Sequence, residues 1–332
     1  MNFKTLKRIS LALAILICLS SILASCGAKP IKSTEEEAAV IGNIGKYEVK
    51  YEELRFLTLT CKAELAAKYG DDVFLPESSE YIGDYKKELE EMVSEQICQN
   101  YAAAKTFKNN KINVNDSKSK QYAQEYASSV MAQFDSEEEY LAYLEECYMT
   151  DAVLRFNASL EGCFYRYYEK LANDIDEEAY NAVMSGDGFI RTMSIFIKND
   201  EGESVEKNRK DAENVLAEIK AGKPLSSFIG SKYNQDTGMC DYYFLKGYFD
   251  EEYEEAAFAL AVGEISSVVE TEEGFYIIQR METDEGYMQN NIQALKSVYV
   301  ECKMYENINK LADELVFELN DYGKTLDLWF ME

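Results

Sequence analysis

FIRTMSIFIK, residues Phe189 to Lys198, opens the stretch that decides the fold, and that stretch runs on to Met281. Its β-branched and aromatic residues read as a strand. An amphipathic helix follows over roughly Val205 to Ala221, broken by Gly222 and Pro224, and PLSSFIGSKY (Pro224 to Tyr233) reads as a second short helix. CDYYFLKGYF (Cys240 to Phe249) is an aromatic turn and strand, and EEYEEAAFALAVGE (Glu251 to Glu264) a third helix. ISSVVET (Ile265 to Thr271) and GFYIIQR (Gly274 to Arg280) read as the last two strands. The order β-α-α-β-α-β-β predicts an α+β domain with flanking helices around a four-stranded, mostly antiparallel sheet.

Within this stretch FLKGYFDEEYEEAAFALAVGEIS, Phe244 to Ser266, carries a Phe-x-x-Gly, an aromatic-acidic helix ending Ala-x-x-Leu, and then Gly-Glu-Ile-Ser. It resembles the parvulin-type (PpiC, rotamase) family of peptidyl-prolyl cis-trans isomerases, in particular PrsA-type foldase lipoproteins and SurA-type chaperones. RTMSIFIK is similar to the first family strand and GFYIIQR to the last. The resemblance implies an isomerase domain over residues 188–284, unfolded or extended exported polypeptides as substrates, and no cofactor.

The same resemblance implies the site and shows where this chain departs from it. The family's first-strand His position is Ser194 here and its last-strand His position is Tyr276; the chain contains no His. Asp236, in YNQD, fills the acidic or thiol position, and Thr271 the hydroxyl position. Phe244, Phe249 and Tyr253 would form the pocket for the proline ring, with Cys240 or Asp241 in place of a family leucine; Tyr242 or Tyr243 would close the pocket if either filled it. An X-Pro bond turns over a barrier of about 18–20 kcal/mol, unaided in tens of seconds or longer. No nucleophile is needed, only a grip on the ring and a site that favours the twisted amide. Ser194, Thr271 and Tyr276 can each donate and accept a hydrogen bond, so a cluster with Asp236 survives the loss of both His.

The chain starts with an export signal. Lys4, Lys7 and Arg8 precede an apolar run from Ile9 to Leu23 that is short for a membrane span, and LASC, Leu23 to Cys26, reads as a lipobox. Residues 1–25 are thus expected to be removed and Cys26 lipidated, with 26–40 as a tether to the outer face of the cytoplasmic membrane; several acyl chains on one Cys give lasting anchorage. The net charge is −27, and loss of the signal's three basic residues lowers it by three more. No Lys/Arg cluster offers phosphate contacts, so nucleic-acid binding is disfavoured. The charge reads as solubility, or as a bias toward basic clients. Cys61, Cys98, Cys147, Cys163, Cys240 and Cys302 are widely spaced with no Cys-x-x-Cys, which favours buried free thiols over a disulfide framework and gives no zinc pattern.

Residues 41–187 resemble a SurA-like N-terminal chaperone domain: a short strand and turn at Ile41 to Gly45, a helix from Tyr51, and then nearly all helix from Tyr85. Leu54, Leu57, Cys61 and Leu65, then Leu89, Met92, Val93, Ile97 and Tyr101, keep a helical period. Further helices are expected over Tyr122–Phe134, Ser136–Tyr148 and Asp151–Leu171, with Phe156, Leu160, Phe164, Tyr165 and Tyr168 as core or, in part, an apolar client groove. A long helix is expected from about Met288 to Leu319, with residues 285–332 returning to the N-terminal domain and YGKTLDLWF supplying a terminal strand. Three readings follow: a membrane-anchored foldase with isomerase activity, a holding chaperone with a degenerate isomerase domain, and a solute-binding lipoprotein, which the helical architecture disfavours.

Overall fold

The computed structural model describes residues 29–74, 82–186, 188–199, 204–235, 241–271 and 273–332. Cys26, Asp236 and Cys240 lie outside the described residues. The chain is α+β, and its described residues divide into two units: residues 171–305, and residues 29–170 together with 306–332.

The unit that begins with the N-terminal segment opens on an antiparallel hairpin, β1 (Val40–Ile44) and β2 (Tyr47–Lys50). Helices α1 (Tyr51–Tyr69), α2 (Ile82–Asn109), α3 (Ser117–Met131), α4 (Glu137–Glu146) and α5 (Asp151–Asn173) follow. Leu54, Leu57, Cys61 and Leu65 of α1 and Leu89, Val93 and Ile97 of α2 share one core, as their helical spacing requires. Helix α3 starts five residues before the expected Tyr122. Asp116 accepts the Ser119 N–H as N-cap, and Arg166 holds its carboxylate at 2.9 and 3.0 Å, so the polar NDSKS run starts a helix instead of delaying it. Ser136 caps α4 in the same way, through the Glu139 N–H.

Helix α5 differs from the expected apolar stripe. Leu160 and Phe164 are buried, but Tyr165 is 56% exposed, and Tyr167 lies inside with its ring 5.5 Å from that of Phe107. Positions 160, 164 and 167 repeat at i, i+4 and i+7, while 165 is turned about 100° from 164.

In the unit of residues 171–305, α6 (Glu177–Met184) leads into β3 (Phe189–Lys198), α7 (Val205–Lys220), β4 (Asp241–Leu245), α8 (Glu251–Ala259), β5 (Val269–Thr271) and β6 (Gly274–Met281). The sheet order is β4-β3-β6-β5, every pairing antiparallel. The expected second helix is a single 3₁₀ turn, Leu225–Phe228. Strand alternation sorts the two faces: Ile195 and Ile277 pack under α7 with Val215, Leu216 and Ile219, whereas Ile190, Phe244, Tyr276 and Ile278 pack with Tyr253 and Ala257 of α8. Helices α9 (Glu285–Asn290) and α10 (Ile292–Ala312) follow, and Leu295 and Tyr299 pack with Tyr180, Phe189 and Leu245.

The single helix expected from Met288 to Leu319 is therefore interrupted at Asn291 and ends at Ala312. Beyond it β7 (Phe317–Leu319) pairs antiparallel with β1, giving the order β2-β1-β7. The strand thus lies upstream of YGKTLDLWF. That tail forms two 3₁₀ turns, Gly323–Thr325 and Leu328–Phe330, and buries Trp329 against Phe74. Among the described residues no helix is long and apolar enough to cross a membrane. Cys61, Cys98, Cys147, Cys163 and Cys302 are free thiols.

Candidate active site

The site builds outward from β3. Its alternation puts Thr192, Ser194 and Phe196 on the α8 face, beside Tyr276 and Ile278 of β6. Ser194 is paired with Ile278, so Tyr276 stands diagonally from it and directly across from Phe196. The rings of Phe196 and Tyr276 stack at 4.4 Å and 18°, and Tyr253 meets Tyr276 edge-on at 5.0 Å and 79°. Strand pairing places three of the four residues assigned to the cluster, Ser194, Thr271 and Tyr276, on the face that carries the aromatic residues.

The aromatic residues themselves are packed together. Phe249 lies 4.7 Å from Phe244 and 4.7 Å from Tyr253, ring centre to ring centre, and Phe244 lies 5.8 Å from Tyr253. Tyr242 and Tyr248 each cap Phe249 edge-on at 5.3 Å. Only 6% of Phe249, 1% of Tyr253 and 8% of Tyr276 is exposed, and Phe244 is fully buried. Tyr242 thus closes over the expected ring pocket. Tyr243 points to the other face, where it stacks on Tyr287 at 4.0 Å, and Asp241, one of the two residues offered for the leucine position, is paired with Arg191 at 2.6 Å.

Tyr253 plays a second part that the sequence does not show. Its hydroxyl is 2.9 Å from the Thr192 hydroxyl and 3.4 Å from that of Ser194. Thr192, Tyr253 and Ser194 therefore form a buried hydroxyl chain beneath the aromatic residues, its second link long for an O–H···O bond. Thr271 takes a different partner: its hydroxyl donates to the Gly274 carbonyl at 3.2 Å across the β5–β6 turn. Gly274 is needed there because a Cβ would sit 2.2 Å from the Ile197 carbonyl oxygen. Asp236 follows a segment whose position is fixed. Gln235 donates its N–H to the Phe196 carbonyl at 2.8 Å, and the Asn234 and Gln235 side chains accept the Phe196 and Lys198 N–H groups at 3.0 and 2.6 Å. Asn234 and Gln235 thus run along the part of β3 beyond its pairing with β4.

Glu254 holds the loop that presents Phe249. Its carboxylate accepts the N–H groups of Gly247, Tyr248 and Phe249 at 2.9, 2.7 and 2.8 Å. Gly247 turns the chain at φ +91°, which a side chain would resist. Burial raises the Glu254 carboxyl above the usual carboxylate range, against the pull of those three donors. The signal for this clamp was the Gly247…Glu254 spacing, a tight turn followed seven residues later by an acid in the first turn of α8. No group of three or more Cys, Asp or Glu among the described residues is placed to hold a metal ion.

Comparison with known proteins matches residues 180–284 to the PPIC-type PPIASE domain. The foldase protein PrsA of Bacillus subtilis is 30% identical over 105 residues, 30% of this chain and 35% of that protein. PrsA of Staphylococcus aureus is 29% identical over 127 residues, 37% of this chain and 39% of that protein. The chain thus spans little more than a third of the length of these relatives. The crystal structure of PrsA from Bacillus subtilis aligns over 70% of this chain and 86% of its own, at 20% identity and a TM-score of 0.26. The segment 180–284, with its four antiparallel strands and the aromatic face that carries Ser194 and Tyr276, matches the PPIC-type PPIASE domain and is similar in sequence to part of the PrsA foldases.

Proposed function

We propose that this chain is an extracytoplasmic foldase, lipid-anchored through Cys26, that isomerises X-Pro bonds in unfolded exported polypeptides. The observation that carries the reading is the PPIC-type domain at residues 180–284 with Ser194, Thr192 and Tyr253 hydroxyls beneath an aromatic face. In this reading the proline ring is taken by Phe249 and its aromatic neighbours, with Tyr242 swinging aside. The amide rotates over the hydroxyl chain, whose donors favour the twisted form that has lost resonance. Asp236 supplies the acceptor that orients those hydroxyls. The helical unit, completed by the C-terminal segment, holds the client as an inserted isomerase domain acts on it.

The second reading is a holding chaperone. It is supported by the closed aromatic cluster and by Tyr276 lying flat on Phe196 where the family has a His. One experiment separates the two: isomerisation of a proline peptide by the wild type and by Asp236→Ala. The foldase reading expects measurable turnover that Asp236→Ala mostly removes. It also expects a flat rate from about pH 6 to 8, because the chain has no His to titrate there. Equal, measurable rates would remove Asp236 from the site. No acceleration by either, together with suppression of client aggregation, would establish the holding chaperone.

A further inference from the structure

The helical unit contains a cavity of about 190 Å³ lined from β2, α1, α2 and the first turns of α5. Its charged lining is Glu48, Lys50, Glu52 and Glu53, three carboxylates to one cation; Phe56, Leu57 and Phe156 form its apolar side. Glu52 is satisfied. Lys50 lies 3.4 Å from it, and the Ser33 and Thr150 hydroxyls donate to it at 2.6 and 2.8 Å. Glu53 is not. The Tyr101 hydroxyl is 3.3 Å from its Oε2 but only 2.8 Å from the Glu48 carbonyl, and its Oε1, shut off from solvent, has no partner. Asn157 lines the same cavity, is 4% exposed, and carries an amide nitrogen that likewise has no partner. A buried acceptor and a buried donor left unpaired each cost free energy, which a ligand recovers when the Glu53 and Asn157 side chains turn into the cavity to meet it.

We propose that this cavity binds the amino-terminal residue of a peptide, its α-ammonium on Glu53 and its first carbonyl on Asn157. The two orphan atoms call for a donor and an acceptor on one small ligand, and the excess of carboxylate calls for positive charge. A lysine side chain brings the charge without the acceptor. An internal peptide group brings donor and acceptor without the charge. An amino-terminal residue brings all three, and its side chain meets Phe56, Leu57 and Phe156. Burial pushes the Glu53 carboxyl up to about 7, with Glu52 adding to the rise and Tyr101 and Lys50 opposing it. An arriving ammonium supplies the counter-charge that the ionised form lacks.

The site lies in the helical unit and is independent of the isomerase assignment; its test reads no proline turnover, so its failure would leave that assignment standing. The test is titration of the whole protein at pH 7 with Leu-Gly amide and with N-acetyl-Leu-Gly amide, by calorimetry and amide NMR. Leu-Gly amide should bind at least tenfold more tightly than its acetylated form. Glu53→Gln, which keeps shape and removes charge, should abolish that preference, and Asn157→Ala should weaken Leu-Gly amide about tenfold. Circular dichroism melts check that both variants fold. Equal binding of the two peptides, no binding of either at millimolar concentration, or an unchanged preference in Glu53→Gln would each overturn the proposal.

Discussion

Replacing Glu254 with Ala should loosen the loop that presents Phe249. Three backbone N–H groups converge on this one carboxylate, at 2.7 to 2.9 Å. Hydrogen bonds to a charged acceptor are worth about 1.5–3 kcal/mol each. Their plain sum overstates the loss, since bonds sharing one partner are not additive and a freed loop regains water. A loss of about 3 kcal/mol in local opening free energy is expected, near the lower end of that range for two such bonds. At about 1.4 kcal/mol per factor of ten, the amides of Gly247, Tyr248 and Phe249 should exchange with solvent roughly 100-fold faster. Glu254→Gln keeps one carbonyl oxygen as acceptor and should accelerate them about tenfold. Hydrogen exchange resolved to these residues is the assay, with the amides of α7 as an internal control. Unchanged protection at residues 247–249 in Glu254→Ala would refute the clamp, and with it the idea that Phe249 is held in place through this loop.

Glu53 should make the helical unit less stable as pH rises. Its folded-state pKa of about 7 lies above the ordinary carboxylate value, so the fold keeps a proton that the unfolded chain releases. The stabilisation is present below about pH 4.5 and is lost by about pH 7, on the order of 3 kcal/mol in all. Urea titrations at pH 5 and pH 8 should show Glu53→Gln with a much smaller pH difference than wild type, and an equal difference would contradict it. Truncation after Ala312 removes β7 and Trp329, uncovering Ile41, Ile44 and Phe74. The melting temperature of the N-terminal unit should fall by many degrees, and an unchanged melt would show that this segment contributes nothing to its stability. Cys26→Ala should release the protein from the membrane or leave its leader uncut; a processed variant that still sediments with membranes would exclude the lipid anchor.

Much of the isomerase-type domain was legible because its signals are local. The β-branched and aromatic residues of FIRTMSIFIK form the ten-residue strand β3, which is covered on both faces, and the apolar spacing of α1 and α2 gives their buried stripes directly. The placement of Ser194 and Tyr276 on one face also follows from alternation once the register is fixed.

Other features depend on partners far along the chain, which local propensity does not encode. Helical spacing runs on past Ala312, yet Leu315, Phe317 and Leu319 also alternate with Val316 and Glu318. The core of β1, more than 270 residues earlier, selects the period-two reading and leaves Val316 68% exposed. Tyr242 and Tyr243 are adjacent aromatics of equal propensity. Only pairing with β3 sends one to Phe249 and the other to Tyr287. The hydroxyl of Tyr253 reaches Thr192 because α8 packs across the sheet at that height. Sequence alone determined most of the elements and the residue types available for chemistry. Tertiary structure decided which of them meet, because the energy that selects among alternative pairings comes from burial and hydrogen bonds between segments that are far apart in the chain.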